Sequence, residues 1–238
     1  MTLRKILAWG VHLYTALGLV AAACIVVLIF RGGDDAFRAA LGLMIVATII
    51  DSTDGWLARR ANVKKHAPTF DGRKLDDLID FQNYTSLPLL LIWRAEILPG
   101  DQAWWLLLPL LASAYGFSQS NAKTDDGFFL GFPSYWNIVS FYLYLLRPAV
   151  AVCLPLIIAL SLLTFIPWRY LYPSQRGRFN RLTTVLAVMW TVLLLMGLAR
   201  WSADSRSLLL ISLAFPIYYM VMSWALTLRR ARSHGRDG

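Results

Sequence analysis

Apolar segments about as long as a membrane helix recur along the whole chain. A helix that crosses the hydrocarbon core of a bilayer needs about 20 mostly apolar residues. Eight candidate segments alternate with short polar breaks: Ile6–Phe30, Ala36–Leu57, Asp76–Trp93, Ala103–Phe117, Phe132–Leu146, Ala149–Trp168, Thr183–Leu198 and Leu208–Leu228. The fifth and sixth segments are joined by little more than Arg147 and Pro148, so this pair can also form one broken helix. The pattern predicts an all-α polytopic membrane helix bundle with about eight transmembrane helices.

The composition agrees with a chain that lies mostly in lipid. Charged residues make up 16% of the sequence and the mean hydropathy is +0.53, whereas about a quarter of a soluble domain is charged. No break is long enough to be a linker between domains, so residues 1–238 are expected to form a single integral membrane domain. Cys24 and Cys153 lie inside apolar segments and are expected to pack as small hydrophobic residues.

The distribution of basic residues predicts the orientation in the membrane, because cytoplasmic loops collect Lys and Arg. If the breaks alternate sides and the N-terminus is inside, 17 of the 23 basic residues are cytoplasmic. The six on the other side are Arg31, Arg38, Arg94, Arg147, Arg200 and Arg206. Both termini are therefore predicted to be cytoplasmic. Since the cations flank membrane segments, the formal charge of +9 favours attraction to anionic lipid headgroups over nucleic-acid binding.

Four carboxylates cluster at the end of the second apolar segment and the start of the third. Residues 51, 54 and 58 are spaced i, i+3 and i+7, and residues 72, 76 and 80 are spaced i, i+4 and i+8, so each set shares one helix face. Carboxylates at a membrane helix end are costly unless they are paired, hydrated or bound to a metal. If the two faces meet, Asp51, Asp54, Asp76 and Asp80 converge. Four carboxylates suit two divalent cations that bridge a phosphoryl group.

Small residues and one cation accompany the carboxylates on these faces. Gly55, Ala58 and Gly72 leave space in which a pyrophosphate could approach the helix backbone. Arg59 at the membrane surface offers a planar cation for phosphate. His12, in the first apolar segment, is expected to be a satisfied packing residue.

The run from Asp51 to Asp80 resembles a known signature. Asp51-Ser52-Thr53-Asp54-Gly55-Trp56-Leu57-Ala58-Arg59, a twelve-residue spacer, Gly72, Asp76 and Asp80 match every fixed position of D-x2-D-G-x2-A-R and G-x3-D-x3-D. This is the signature of the CDP-alcohol phosphotransferases. The long spacer, Gly131 to Asn137, Trp9 to Thr15, and two helices beyond the family's usual six resemble its bacterial phosphatidylcholine synthase branch.

The resemblance implies a reaction and roles for individual residues. Such enzymes join choline to CDP-diacylglycerol, release CMP, and bind two divalent ions, Mn²⁺ or Mg²⁺, on the signature aspartates. By position, Asp51, Asp54 and Asp76 would be metal ligands, and Asp80 would lie at the metals and act as the base for the acceptor hydroxyl. The implied CDP-binding residues are Gly55, Ala58, Arg59 and Gly72. The resemblance further implies a multi-pass protein of the bacterial inner membrane, surrounded by membrane lipids, and a homodimer.

Choline requires a different kind of pocket, because a quaternary ammonium group donates no hydrogen bond. Proteins commonly bind such a cation against aromatic faces. The candidate choline-binding residues are Tyr135, Trp136, Tyr84 and Tyr14, although most aromatic residues in a membrane protein belong to interfacial belts or to packing.

Two rival functions remain from the sequence alone. A sister enzyme of the same family would use serine, inositol or a glycerol phosphate as the acceptor; a phosphorylated acceptor would call for an additional basic pocket. A small cation transporter would instead favour carboxylates near mid-membrane, and the clustering of the carboxylates at one membrane face argues against it.

Overall fold

The protein is helical almost throughout the part of the chain that its computed structural model describes, namely residues 2–122, 124, 128–171, 178–199 and 203–234. The α-helices are α1 Leu3–Arg31, α2 Asp34–Arg60, α3 Val63–His66, α4 Gly72–Asp80, α5 Leu87–Arg94, α6 Leu107–Ser118, α7 Trp136–Leu146, α8 Val150–Leu163, α9 Arg178–Ala199, α10 Ala203–Ser212 and α11 Ala214–His234. A π-helical turn covers Phe81–Ser86, a 3₁₀ turn covers Ala103–Leu106, and two short strands are β1 Phe128–Leu130 and β2 Arg169–Leu171.

Four helical stretches are long and apolar enough to cross a membrane, by length and composition. They are Leu3–Arg31, Asp34–Arg60, Leu182–Ala199 and Ser205–Arg229. Three further apolar helices are shorter: Ala103–Ser118, Trp136–Leu146 and Val150–Leu163. The all-α membrane bundle expected from the sequence is therefore confirmed, whereas the count of eight spans and the cytoplasmic side of the termini remain predictions. Arg200 and both terminal residues lie outside the described part of the chain.

Several predicted segment boundaries were wrong. The fifth segment becomes helical at Trp136 instead of Phe132, and the sixth ends at Leu163 instead of Trp168. The fifth and sixth segments form two separate helices, because α7 ends where Arg147 adopts a left-handed conformation with φ of 47°. The eighth segment is divided between α10 and α11. Hydropathy indicates which parts of the chain can lie in the membrane, whereas the residues at which the helices begin and end depend on local backbone geometry.

The described chain groups into two compact units. The first comprises Met1–Glu96 and Trp136–Phe141. Within it α1 packs against α2 and α4, and the fully buried residues include Ile25, Ile29 and Leu41. Gly18 permits this packing, because a Cβ atom at that position would lie 2.6 Å from Cγ2 of Ile79.

Helices α2 and α4 carry charges that suit their ends. The first turn of α2 contains Asp34 and Asp35, and its last turn contains Arg59 and Arg60, which complements the helix dipole. The side chain of Asp71 caps α4 by accepting hydrogen bonds from the backbone amides of Arg73 and Lys74, each at 3.2 Å. Helix α4, the π-helical turn and α5 follow one another without a break.

The second unit comprises Ile97–Tyr135 and Tyr142–Gly238. Its strands β1 and β2 pair antiparallel, with Phe129 opposite Tyr170. Gly131 follows β1 with φ of +81°, and a side chain there would collide with the backbone carbonyl of Thr164. The sequence analysis missed this strand pair, because three-residue strands leave no detectable alternation.

Candidate active site

Three of the four signature carboxylates meet in the first unit. Asp51 comes from α2, and Asp76 and Asp80 come from successive turns of α4. One carboxylate oxygen from each lies within 4.8 Å of the others. The same cavity is lined by Asp54, and also by Thr15, Gly18, Ala47, Ile50, Ile79, Asn83 and Tyr84. The structure thus brings together the two acidic helix faces that the spacing predicted.

The carboxylate trio fits a divalent cation. At an effective dielectric constant of about 20, two ionised carboxylates at this separation repel each other by roughly 3 kcal/mol. With the usual Mg–O distance of about 2.1 Å, octahedral ligands lie about 3.0 Å apart when adjacent and about 4.2 Å apart when opposite. The three oxygens lie within 4.8 Å of one another, so side-chain rotations that draw them together would let them hold one metal ion.

Asp54 is the most buried of the four carboxylates, with 7% of its surface exposed. Its Oδ2 accepts a hydrogen bond from Oγ1 of Thr15, on α1, at 2.8 Å. Three residues earlier on α2, Asp51 Oδ2 accepts a hydrogen bond from the Tyr84 hydroxyl at 2.6 Å. Asp51 and Asp54 are therefore each oriented by a hydroxyl group from a neighbouring helical segment.

The proposed CDP-binding residues lie on the same two helices as the carboxylates. Gly55 is half-buried, and a Cβ atom there would lie 3.5 Å from Nη1 of the exposed Arg59. Ala58 packs against a small apolar cluster formed by Ala8, Val63 and Ala67.

Gly72 is the first residue of α4 and lies against the ring of His12. A Cβ atom there would come within 2.6 Å of Cε1 of His12. Ala58 and Gly72 thus also have packing roles, which the sequence did not indicate.

His12 is buried between aromatic rings. The ring centroid lies 4.4 Å from that of Phe70 and 5.8 Å from that of Trp9. No hydrogen bond reaches Nε2 from any described residue. His12 therefore packs as expected, but the hydrogen-bond partner expected for its Nε2 is not found among the described residues.

The four candidate choline residues lie in different surroundings. Tyr84 lines the carboxylate cavity, and the Tyr14 hydroxyl lies 2.8 Å from Oγ1 of Thr53, beside Asp54. Trp136 is completely buried. Tyr135 belongs to the second unit, where it packs edge-on against Phe132 and Tyr219.

Sequence reasoning missed Thr15 and Asn83. Nδ2 of Asn83 donates to the carbonyls of Gly18 and Ile79, each at 3.2 Å, while Oδ1 has no partner among the described residues. Asn83 stands three residues after Asp80 on the same helical run, so its spacing was a usable indication. No such indication existed for Thr15, because the hydroxyl of a threonine in an apolar helix commonly donates a hydrogen bond to a backbone carbonyl of the same helix.

Comparison with known proteins identifies the family of this chain. The sequence profile described as CDP-alcohol phosphatidyltransferase matches residues 12–125. A protein named phosphatidylcholine synthase from Pseudomonas aeruginosa is 32% identical over 221 residues, which cover 92% of this chain and 91% of that relative. One from Borreliella burgdorferi is 32% identical and covers 79% of each chain. One from Legionella pneumophila is 40% identical over 71% of this chain and 66% of the relative.

The chain belongs to the CDP-alcohol phosphatidyltransferase family of membrane enzymes. Its alignments span slightly less than two thirds of the two Legionella relatives, 66% and 64% of their lengths. The family is generally dependent on divalent metal ions, and the trio Asp51, Asp76 and Asp80 can hold one.

Proposed function

We propose that the chain is a phosphatidylcholine synthase, which condenses CDP-diacylglycerol with choline to give phosphatidylcholine and CMP. The observation that carries this proposal is that Asp51, Asp76 and Asp80 lie close together in space. All three belong to the sequence signature of a family of phosphatidyl transferases. The acceptor is inferred from relatives that are named phosphatidylcholine synthase, one of them aligned over 91% of its length.

The reaction exchanges one phosphorus–oxygen bond for another. The choline hydroxyl oxygen forms a bond to the phosphorus that carries diacylglycerol, and the bond from that phosphorus to the CMP oxygen breaks. CMP leaves with the electron pair, and Asp80 accepts the proton of the choline hydroxyl. Two Mn²⁺ or Mg²⁺ ions, held by Asp51, Asp54, Asp76 and Asp80, would supply charge neutralisation of the diphosphate and of the leaving group.

The nucleotide half of the substrate is assigned to the small residues beside the carboxylates. Gly55, Ala58 and Gly72 would leave room for the diphosphate and the nucleoside, and Arg59 would pair with a phosphate oxygen. The position of the Arg59 side chain over Gly55 supports this grouping.

The choline ammonium group is assigned to aromatic faces among Tyr14, Tyr84, Tyr135 and Trp136. Tyr84 and Tyr14 have the stronger support, since the first lines the carboxylate cavity and the second contacts the residue before Asp54. Trp136 would have to become exposed before its ring could meet a cation.

The site is proposed to face the cytoplasm in a bacterial inner membrane, with both termini on that side. The diacylglycerol chains would then remain among the membrane lipids while the headgroup enters the carboxylate cavity. A single domain over residues 1–238 and a homodimer complete the proposal.

An acceptor panel tests the function. Purified protein is supplied with CDP-diacylglycerol, Mn²⁺ and one labelled alcohol at a time: choline, serine, inositol or glycerol phosphate. The label of choline, and of no other alcohol in the panel, is expected in lipid. If serine or inositol is incorporated and choline is not, the choline assignment is wrong while phosphatidyl transfer stands.

A further inference from the structure

A chain of polar side chains leads from the start of α7 to Asp51. The amide Nδ2 of Asn137 donates to Oγ1 of Thr48 at 3.1 Å. The Thr48 side chain lies beside the Tyr84 hydroxyl, and that hydroxyl donates to Oδ2 of Asp51 at 2.6 Å. All four residues belong to the first unit, so the chain connects three helical segments of one compact body.

The donor of each bond in this set is defined. Tyr84 donates its hydrogen to Asp51, and the Thr48 oxygen accepts from Asn137. The Thr48 hydrogen is donated to the backbone carbonyl of Met44 at 2.9 Å, which holds the Thr48 side chain in place beside Tyr84.

The π-helical turn places Tyr84 where it can reach Asp51. Along a regular α-helix, residues four apart are rotated by about 40°, so Tyr84 would stand about 80° away from Asp76. The wider turn at Phe81–Ser86 rotates less per residue and brings Tyr84 back toward the carboxylate face. Single π-helical turns inside α-helices frequently occur at functional sites.

We propose that Tyr84 is a positioning residue that fixes the orientation of the Asp51 carboxylate before a divalent cation binds, with Thr48 and Asn137 as the outer members of the same chain. This inference rests on the proposed metal-dependent function. The terminal torsion of an aspartate is broad, so a free carboxylate samples orientations that do not face Asp76 and Asp80. A donor on Oδ2 removes that freedom before the ion arrives.

The proposal gives Tyr84 a task that depends on its hydroxyl group and not on its ring face. Removing a group that orients a metal ligand typically weakens metal affinity by about 10- to 100-fold. Tyr84→Phe keeps the ring and removes the hydroxyl. It should weaken Mn²⁺ binding about tenfold or more.

Mn²⁺ binding is measured by electron paramagnetic resonance of the free ion, with purified protein and no lipid substrate. Tyr84→Phe is compared with Tyr142→Phe, a matched control that removes another largely buried hydroxyl, one bonded to Ser212 and to Nε1 of Trp190 in the second unit. The control should bind Mn²⁺ like the wild type. Thr48→Val and Asn137→Leu should weaken binding in decreasing order, by several-fold and by about twofold.

Each result decides the proposal. Wild-type Mn²⁺ affinity in Tyr84→Phe would overturn it, as would an equal loss in the Tyr142→Phe control. If Tyr84→Phe does not fold, Asn137→Leu decides, since unchanged affinity in that variant would contradict a chain that begins at Asn137. A wild type that binds no Mn²⁺ would sink the metal assignment and this proposal together. A wild type that binds Mn²⁺ but incorporates no choline would sink the acceptor alone.

Discussion

Gly72→Ala should destabilise the protein through a clash with His12. The added Cβ atom would lie 2.6 Å from Cε1 and 3.0 Å from Nδ1 of the His12 ring. The ring has little freedom to move aside, since it is buried and packs against Phe70 at 4.4 Å. Overpacking of this kind costs about 1–3 kcal/mol, whereas alanine gains at most about 1 kcal/mol over glycine in a helix.

The assay is thermal unfolding of detergent-solubilised protein, in the wild type and in a His12→Ala background. A net cost of about 1–2 kcal/mol corresponds to a fall in melting temperature of roughly 2–8 °C for a domain of this size. In the His12→Ala background the clash is absent, so Gly72→Ala should be neutral or slightly stabilising. The sign of the effect is therefore expected to reverse between the two backgrounds.

Unchanged or raised stability of Gly72→Ala in the wild-type background would refute this packing argument. The activity of the Gly72→Ala and His12→Ala double variant is then compared with that of His12→Ala alone. Equal activity would assign Gly72 a packing role only. Loss of activity from a stable double variant would mean that the nucleotide needs the space beside Gly72.

Three further predictions concern the carboxylates, the topology and one buried aromatic residue. Three single variants replace a carboxylate by the matching amide: Asp51→Asn, Asp54→Asn and Asp76→Asn. Each should abolish choline incorporation while the melting temperature stays within a few degrees of the wild type. Near-normal turnover of a variant at saturating metal would remove that residue from the set of metal ligands. Reporter fusions at Met1 and Gly238 should both report the cytoplasm, and a terminus found outside would require a different number of spans. Trp136→Leu should lower stability by roughly 2–4 kcal/mol, because the ring is fully buried and large core truncations cost about that much; a raised KM for choline with unchanged stability would instead favour a direct contact.

The acidic site was predictable because spacing alone decides which side chains share a helix face. Asp51 and Asp54 fall on one face of α2, Asp76 and Asp80 on one face of α4, and both helices exist at those positions. The helical class followed from hydropathy in the same way. These features depend on residue type and periodicity, which the sequence displays directly.

The contacts that complete the site were not predictable, because they depend on tertiary packing. No residue pattern near Phe81–Ser86 marks a π-helical turn, so a contact between Tyr84 and Asp51 could not be predicted. Thr15 resembles any threonine in an apolar helix until α1 is seen to pack beside Asp54. The break between α10 and α11, by contrast, had a usable indication in Pro216, because a proline cannot bond the carbonyl four residues earlier and α10 ends at that residue, Ser212.

The metal-dependent transfer of a phosphatidyl group to choline is tested most directly by the stoichiometry of CMP release. Purified protein is stripped of metal with a chelator, mixed with CDP-diacylglycerol, and assayed for CMP and phosphatidylcholine with and without choline and Mn²⁺. The account predicts one CMP for each phosphatidylcholine, with both products requiring choline and the metal ion together. Phosphatidylcholine formed at full rate in the stripped protein, or CMP released at full rate without choline, would contradict it.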